Sequence, residues 1–427
     1  MCNNNGACRK QTGVMCPSYM VTGDERDVTR GRANTLRLAI TGQLGPDAFT
    51  SDDMAETLKL CVSCKGCRRE CPTGVDMARM KIEVQAARAK KFGLSVHDRL
   101  VGYLPRYASY AAKVPWLLNL RDKVPGAAKA SEMLAGFSAR RPLPRWRSDY
   151  FRDSSTSRGH DEREVVLFAD TFNRYFEPEN LEAAVSVLNA AGYATHLPTP
   201  ADGGRPLCCG RTFLSIGRVD EARREAERTL DALAPFVARG LPVVGLEPSC
   251  VLGFRDEIPA MIRDRRAQRL TAQALTFEEF LGREAEAGRF TPMLGEIGSK
   301  AFVHGHCHQK SFGVLGAVEQ VLKLIPRLDV TTVESSCCGM AGSFGYGPDT
   351  IDVSLAMGEL SLLPAVRQAD ADAIIVADGT SCRQQIRDGT GREALHVARV
   401  LASSMASAGQ VSEPIAREAA AQPAAAQ

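Results

Sequence analysis

The run Cys61-Val62-Ser63-Cys64-Lys65-Gly66-Cys67-Arg68-Arg69-Glu70-Cys71-Pro72 constrains this chain more than any other stretch. It is a C-x2-C-x2-C-x3-C-P pattern. Three thiolates so closely spaced can face one centre only if the backbone curls around it, and Gly66 is expected to ease that curl. Cys71 then points away toward a second centre while Pro72 turns the chain out. This is the spacing that holds 4Fe-4S clusters in two-cluster electron carriers. Zinc favours two well-separated C-x2-C pairs, so the spacing argues for iron and sulfide, with zinc or unliganded core cysteines as the alternative. Lys65, Arg68 and Arg69 are expected to offset the charge of thiolates and cluster.

A two-cluster module needs a partner run. Cys2-Asn3-Asn4-Asn5-Gly6-Ala7-Cys8 fits C-x2-C-G-x-C with Asn5 where the second cysteine would stand, and Cys16-Pro17 supplies the C-P end. In the crossed arrangement, Cys61, Cys64, Cys67 and Cys16 hold one cluster completely. Cys2, Cys8 and Cys71 hold the other, one thiolate short. Asn5, water or a three-iron cluster closes that gap; the alternative is a degenerate run that binds no cluster. Cys2 lies at the very start, where frayed termini hold metal poorly. That position fits either the tail of a longer protein or packing on a separate partner.

The 427 residues leave room for two or three domains. With 44% apolar and 24% charged residues the composition is that of a soluble globular protein. A net charge of +3 gives no case for nucleic acid. No long uninterrupted apolar stretch reads as a membrane span, and Met1-Cys2-Asn3-Asn4-Asn5 does not read as a signal peptide. The 14 cysteines are clustered, and in a long chain without a signal peptide such groups read as metal ligands rather than disulfides.

Residues 1–100 read as a helical, ferredoxin-like two-cluster domain, with a helix start at Asp27-Val28-Thr29 and an N-cap at Asp76. Residues 101–163 read as irregular helix and connector. They hold Tyr103, Tyr107, Tyr110 and Trp116, a basic Pro-containing stretch at 140–147, and a polar linker at 154–164. From 164 the pattern becomes α/β. Strand-like 165–168, a helix at 181–191 and strand-like 241–246 recur as 301–303, 317–325 and 373–376, with a further strand at 330–333 in the second copy. The chain thus reads as a multidomain α+β and α/β protein: the cluster domain, then two duplicated α/β units at 164–290 and 298–405 with mostly parallel strands. The Ala/Gln/Glu-rich tail, 406–427, is expected to be disordered.

The duplication carries cysteines. Cys208-Cys209-Gly210 with Cys250 corresponds to Cys337-Cys338-Gly339 with Cys382, and the second copy adds Cys307. Adjacent cysteines offer two thiolates to one centre, and after strands they would sit at the carboxyl edge of the sheet. His304, His306 and His308 at alternate positions are expected on one face of a strand, with Cys307 on the other. Asp170-Thr171-Phe172-Asn173 stands where Cys307 does in the second copy. A further cluster or metal is expected at Cys307, Cys337, Cys338 and Cys382, and more weakly at Cys208, Cys209 and Cys250; buried remnants of an ancestral site are the alternative.

These repeats resemble the cysteine-rich CCG domain, although neither Cys250 nor Cys382 begins the C-x2-C that ends the family's motif. The whole layout is similar to the glycolate oxidase iron–sulfur subunit and to the iron–sulfur half of fused FAD-binding oxidoreductases of the D-2-hydroxyglutarate and D-lactate dehydrogenase type. Met1-Cys2-Asn3-Asn4-Asn5-Gly6, Met15-Cys16-Pro17-Ser18-Tyr19, Thr29-Arg30-Gly31-Arg32-Ala33 and Phe168-Ala169-Asp170-Thr171-Phe172-Asn173 are the segments most similar to the fused type. The resemblance implies an electron-transfer subunit of a flavin-linked 2-hydroxy-acid dehydrogenase. FAD is expected only on a partner subunit or a missing N-terminal portion, because Gly203-Gly204 and Gly342-Ser343-Phe344-Gly345-Tyr346-Gly347 lack the context of a dinucleotide site. Electrons would pass to a quinone or cytochrome, from a cytoplasmic chain peripheral on the inner membrane face. A redox enzyme that reduces a disulfide at the CCG site and a zinc-stabilised scaffold are the competing readings. The aromatic stretch 103–116 is core, or touches a membrane or partner.

Overall fold

The computed structural model describes residues 2–153 and 163–409. The linker expected at 154–164 lies largely outside the described residues, as does the tail from 410. Before it, 406 and 407 close a helix, Val397–Ser407.

The first hundred residues are helical. Thr29–Ile40, Asp52–Lys59, Gly66–Glu70 and Met77–Phe92 enclose the cysteine runs. Ser51 caps the second of these through the Met54 N–H and Asp76 caps the fourth through the Arg79 N–H, each side chain satisfying a donor left over in the first turn. Met15, Val28, Leu36, Met54, Leu58 and Val84 form the core. The connector holds further short helices, Val96–Gly102, Leu104–Ala111, Pro115–Leu118 and Ala127–Ala135.

Two four-stranded parallel sheets follow. In the first, β1 (Glu164–Phe168), β2 (Ala194–His196), β3 (Val243–Gly245) and β4 (Ala274–Thr276) lie in the order β2-β1-β3-β4. In the second, β5 (Lys300–Val303), β6 (Asp329–Thr332), β7 (Ile374–Val376) and β8 (Ala394–Leu395) lie in the order β6-β5-β7-β8. The two orders are the same. Short β2, β4 and β8 were not legible as strands; with two or three residues each they show no alternation. The sheets share one hydrophobic core, in which Leu181 and Leu188 of helix Pro178–Ala190 meet Leu401 and Met405 of helix Val397–Ser407.

In both sheets the chain reverses direction of winding between the two central strands, and the loops beyond the carboxyl ends there form the ligand crevice of such folds. Cys307 follows β5, Cys337 and Cys338 follow β6, and Cys382 follows β7. Cys208 and Cys209 follow β2, and Cys250 follows β3.

Candidate metal centre

Residues from both cysteine runs line one cavity. Its wall includes Cys16, Cys61, Cys64 and Cys67, together with Thr29 and Arg32. Cys16 reaches it from a left-handed backbone (φ 56°) directly before helix Pro17–Thr22. The curl between Cys61 and Cys67 is taken by Ser63 (φ 51°) and Lys65 (φ 60°), not by Gly66. Gly66 has another task. A Cβ there would lie 2.9 Å from the Met15 nitrogen and the Val14 carbonyl carbon, so glycine lets the two runs touch.

The thiols are prepared to carry charge. Cys16 Sγ accepts from the Thr29 N–H at 3.1 Å and lies 3.0 Å from Thr29 Oγ1. Cys67 Sγ accepts from the Met77 N–H at 3.4 Å. Burial nevertheless pushes Cys16 up to about 11 and Cys67 up to about 12. Buried thiols with N–H donors, whose burial outweighs the cations nearby, suit a bound metal, whose positive charge favours the thiolate.

The charges expected at the cluster go elsewhere. Lys65 is buried and its Nζ lies 2.5 Å from Asp256 Oδ2 and 2.5 Å from Glu257 Oε1. Arg68 meets Asp256 Oδ1 at 2.5 Å, and Arg69 donates to the Lys310 carbonyl at 3.1 Å. These cations latch the cysteine run onto the α/β units, because two buried carboxylates are charged partners whereas the buried thiols are held protonated by their burial. Lys65 lines the cavity but its charge is spent on the carboxylates, and two cations that sequence reasoning missed stand at the cysteine runs. Arg32 is buried in the cavity wall, donating to Ser18 Oγ and the Thr57 carbonyl. Lys81 Nζ donates to the Cys61 carbonyl at 2.6 Å. Their helical spacing from Leu36 and Val84 carried no signal of this role.

Cys2, Cys8 and Cys71 pack at the edge of the same core. Asn5 Oδ1 accepts from the Ala7 N–H at 3.0 Å, and Asn4 Oδ1 accepts from Asn34 Nδ2 at 2.8 Å, which ties the first run to helix Thr29–Ile40.

The second α/β unit gathers Cys307, Cys337, Cys338 and Cys382. The ligand atoms of His304, Cys338 and Cys382 lie within 4.8 Å of one another, all buried. A hydrogen bond with Cys337 draws Cys307 down to about 6 despite its burial, and hydrogen bonds from Cys337 and Cys382 draw Cys338 down. Burial holds His304 near 4, so its ring is neutral, the form that binds metal. His304 Nδ1 lies 2.9 Å from Ser335 Oγ, while the buried Nε2 has no partner among the described residues. Gly339 makes the turn: at φ 89° a Cβ would strike the Ser354 carbonyl oxygen.

The three histidines do not share a strand face. β5 ends at Val303, and His306 caps helix Cys307–Phe312, accepting the His308 N–H at Nδ1. The tight turn after the strand breaks the alternation. Only His304 faces Cys338. His308 Nε2 instead lies 3.2 Å from the Ser63 carbonyl, and Ser311 Oγ donates to the Cys64 carbonyl at 2.8 Å. The cavity at Cys61, Cys64 and Cys67 and the second α/β unit's cysteine cluster therefore adjoin through this contact.

In the first α/β unit, Cys209 Sγ lies 3.0 Å from Cys250 Sγ, and Cys208 Sγ accepts from the Gly210 N–H. Asp170 caps helix Thr171–Tyr175 as His306 caps its counterpart, so Thr171 occupies the place of Cys307. Arg211 bridges the units, donating to Glu257 at 2.7 Å and lying 3.3 Å from His308 Nε2.

One buried cluster was not foreseen. Glu278, Asp378 and His396 converge within 4.8 Å. His396 Nδ1 accepts from the Ala398 N–H and Nε2 lies 3.1 Å from the Leu246 carbonyl, so both nitrogens are engaged. Burial raises Glu278 well above the usual carboxyl range.

A family model described as a 4Fe-4S dicluster domain matches residues 1–75, and one described as a cysteine-rich domain matches residues 301–387. The chain carries both domains. The dicluster domain contains both cysteine runs, and the cysteine-rich domain contains Cys307, Cys337, Cys338 and Cys382. The chain is 26% identical over 338 residues to one of the subunits of anaerobic glycerol-3-phosphate dehydrogenase from Escherichia coli (strain K12), covering 78% of this chain and 81% of that one. It is 25% identical to the D-2-hydroxyglutarate dehydrogenase of Pseudomonas putida over 94% of its own length but only 42% of that protein's. It is 24% identical to the Escherichia coli glycolate oxidase iron–sulfur subunit, over 77% of each chain. No helix among the described residues is long and apolar enough to cross a membrane.

Proposed function

We propose that this chain is the iron–sulfur electron-transfer component of a flavin-linked dehydrogenase. It would take electrons from reduced FAD on a partner and deliver them to a quinone or cytochrome. The observation that carries the reading is the cavity lined by Cys16, Cys61, Cys64 and Cys67 and adjoining the second cysteine cluster through Ser63, Cys64, His308 and Ser311. In this reading Cys16, Cys61, Cys64 and Cys67 hold one 4Fe-4S cluster. Cys2, Cys8 and Cys71 hold a second, of three or four irons. Cys307, Cys337, Cys338 and Cys382, with His304 beside them, hold a further metal centre. Iron–sulfur clusters supply one-electron carriers of tunable potential. The chain's own residues place them: Thr29 and Met77 direct N–H groups at the sulfurs, Lys65 and Asp256 fix the dicluster domain on the α/β units, and Arg32 and Lys81 set the local charge.

The first α/β unit, with the same strand order, reads as a second cysteine-rich domain. Its Cys208, Cys209 and Cys250 are one ligand short where Thr171 replaces cysteine, so its site is the weakest candidate for metal. The names of the relatives share oxidation at an alcohol carbon: glycerol 3-phosphate, D-2-hydroxyglutarate, glycolate. The reading therefore places a 2-hydroxy acid or a related alcohol on the partner. It also places the chain on the cytoplasmic face of the inner membrane.

Stopped-flow mixing of the anaerobic holo-chain with chemically reduced flavin tests the relay. Bleaching of the cluster absorbance, followed by recolouring on addition of a short-chain quinone, is expected. Clusters that stay oxidised under reduced flavin would refute it.

A further inference from the structure

The connector turns an unusual surface outward. Of eighteen large apolar residues exposed among the described residues, nine lie between 110 and 134. Tyr110 is 69% exposed, Trp116 68%, Met133 74% and Leu134 77%, with Leu117 and Val124 beside them. Exposed apolar side chains scattered singly are ordinary, but this concentration on short helices marks a surface that something covers.

The charge left without a salt bridge among these side chains has one sign. Asp122 is held by Arg121, and Glu132 by Lys129 at 2.6 Å. Exposed Lys113, Lys123 and Arg145 make no salt bridge among the described residues, although Asp149, already held by Arg147, feels the charge of Arg145; Lys113 lies 5.6 Å over the Tyr110 ring. Lys123, Arg145, Trp116 and Trp146 line a groove of about 490 Å³, together with Asp149, Glu177, Glu179 and Glu393, whose carboxylates are all paired with arginines. Arg383, Gln384 and Arg387 of helix Thr380–Thr390, which also carries Cys382, line the same groove.

We propose that this face docks on an anionic lipid bilayer, Trp116 and its apolar neighbours entering the interfacial layer while Lys113, Lys123 and Arg145 meet the headgroup phosphates. Free cations around an apolar, Trp-bearing surface are the pattern of interfacial binding, and no membrane-crossing segment is required. A protein partner fits less well, since its surface would have to bury three unpaired cations. The inference rests on the relay reading, for it sets helix Thr380–Thr390 and Cys382 beside the membrane, where a lipid-soluble acceptor is found.

The test uses the anaerobic holo-chain, carrying Trp146→Phe so that Trp116 is the sole tryptophan. It is mixed with vesicles of phosphatidylcholine alone or with phosphatidylglycerol. Sedimentation with the anionic vesicles, a blue shift of Trp116 emission and shielding from an aqueous quencher are expected, all weakened by salt. Lys123→Glu/Arg145→Glu should weaken binding about tenfold or more, since each basic residue at an anionic surface contributes measurably. Leu117→Ala/Leu134→Ala should weaken it without changing the salt dependence. Iron content and cluster reduction are measured in every variant; intact clusters with no vesicle binding overturn the docking surface alone. Loss of flavin-driven cluster reduction in the unmodified chain would instead sink the relay reading. Trp116 shielded by a co-purified dehydrogenase subunit, with no shielding by vesicles, also overturns the proposal.

Discussion

Lys65, in the centre of the cysteine run, is 191 residues from Asp256 in sequence and 2.5 Å from it in space. The ammonium is sealed from water, with Glu257 at its other side, and Arg68 and Arg79 converge on the same aspartate. Burial alone would raise the Asp256 carboxyl, but Lys65, then Arg79 and Arg68, hold it down to about 2. Removing one partner from a buried pair leaves a charge without compensation, which costs about 3–5 kcal/mol. Lys65→Met is expected to lower the unfolding free energy of the holo-chain by up to that order, and Lys65→Met with Asp256→Asn by less. A double variant no more stable than the single would contradict the latch.

The same carboxyl gives a pH signature. Its folded value lies below its ordinary 3.8, so the stability it contributes is complete above about 4 and is lost as pH falls through about 2. The contribution is on the order of 2 kcal/mol. Unfolding curves of the wild type and Asp256→Asn should converge toward acid pH and separate toward neutral pH.

Gly66 separates two explanations of the cysteine run. If it eased a curl, alanine would be tolerated, because its backbone is helical. Contact with Met15 and Val14 predicts the opposite. Gly66→Ala should force the runs apart and lower iron retention after gel filtration, whereas Gly74→Ala, with nothing near its Cβ position, should keep the full iron content at some cost in stability.

His304 and His308 are expected to differ in kind. His304 directs a buried, unpartnered Nε2 toward the cysteine cluster, and His308 faces the Ser63 carbonyl. His304→Ala should change the metal content or EPR signal assigned to Cys307, Cys337, Cys338 and Cys382. His308→Ala should leave that signal in place and slow electron exchange with the dicluster domain, read by freeze-quench EPR.

Much of this was legible before any coordinates. The C-x2-C-x2-C-x3-C-P run, Cys16-Pro17 and the two Cys-Cys-Gly turns are local patterns, and metal chemistry fixes their spacing. Helices Thr29–Ile40 and Met77–Phe92 announced themselves by apolar period and, at Asp76, by a cap. What stayed hidden was pairing at long range. Lys65 looks like a cluster counter-ion until Asp256 is beside it. His304, His306 and His308 look like one strand face until the chain is seen to turn at Val303. Glu278, Asp378 and His396 come from three distant segments, and no spacing relates them.

Thiols from the two runs are expected to cross and share clusters. Counting iron and acid-labile sulfide per chain after anaerobic reconstitution, in the wild type and in Cys16→Ser, addresses it most directly. The account predicts that Cys16→Ser loses about four irons, as Cys64→Ser does, with the cluster at Cys2, Cys8 and Cys71 retained. A Cys16→Ser chain with the iron and sulfide of the wild type, or a wild-type chain with none, would contradict it.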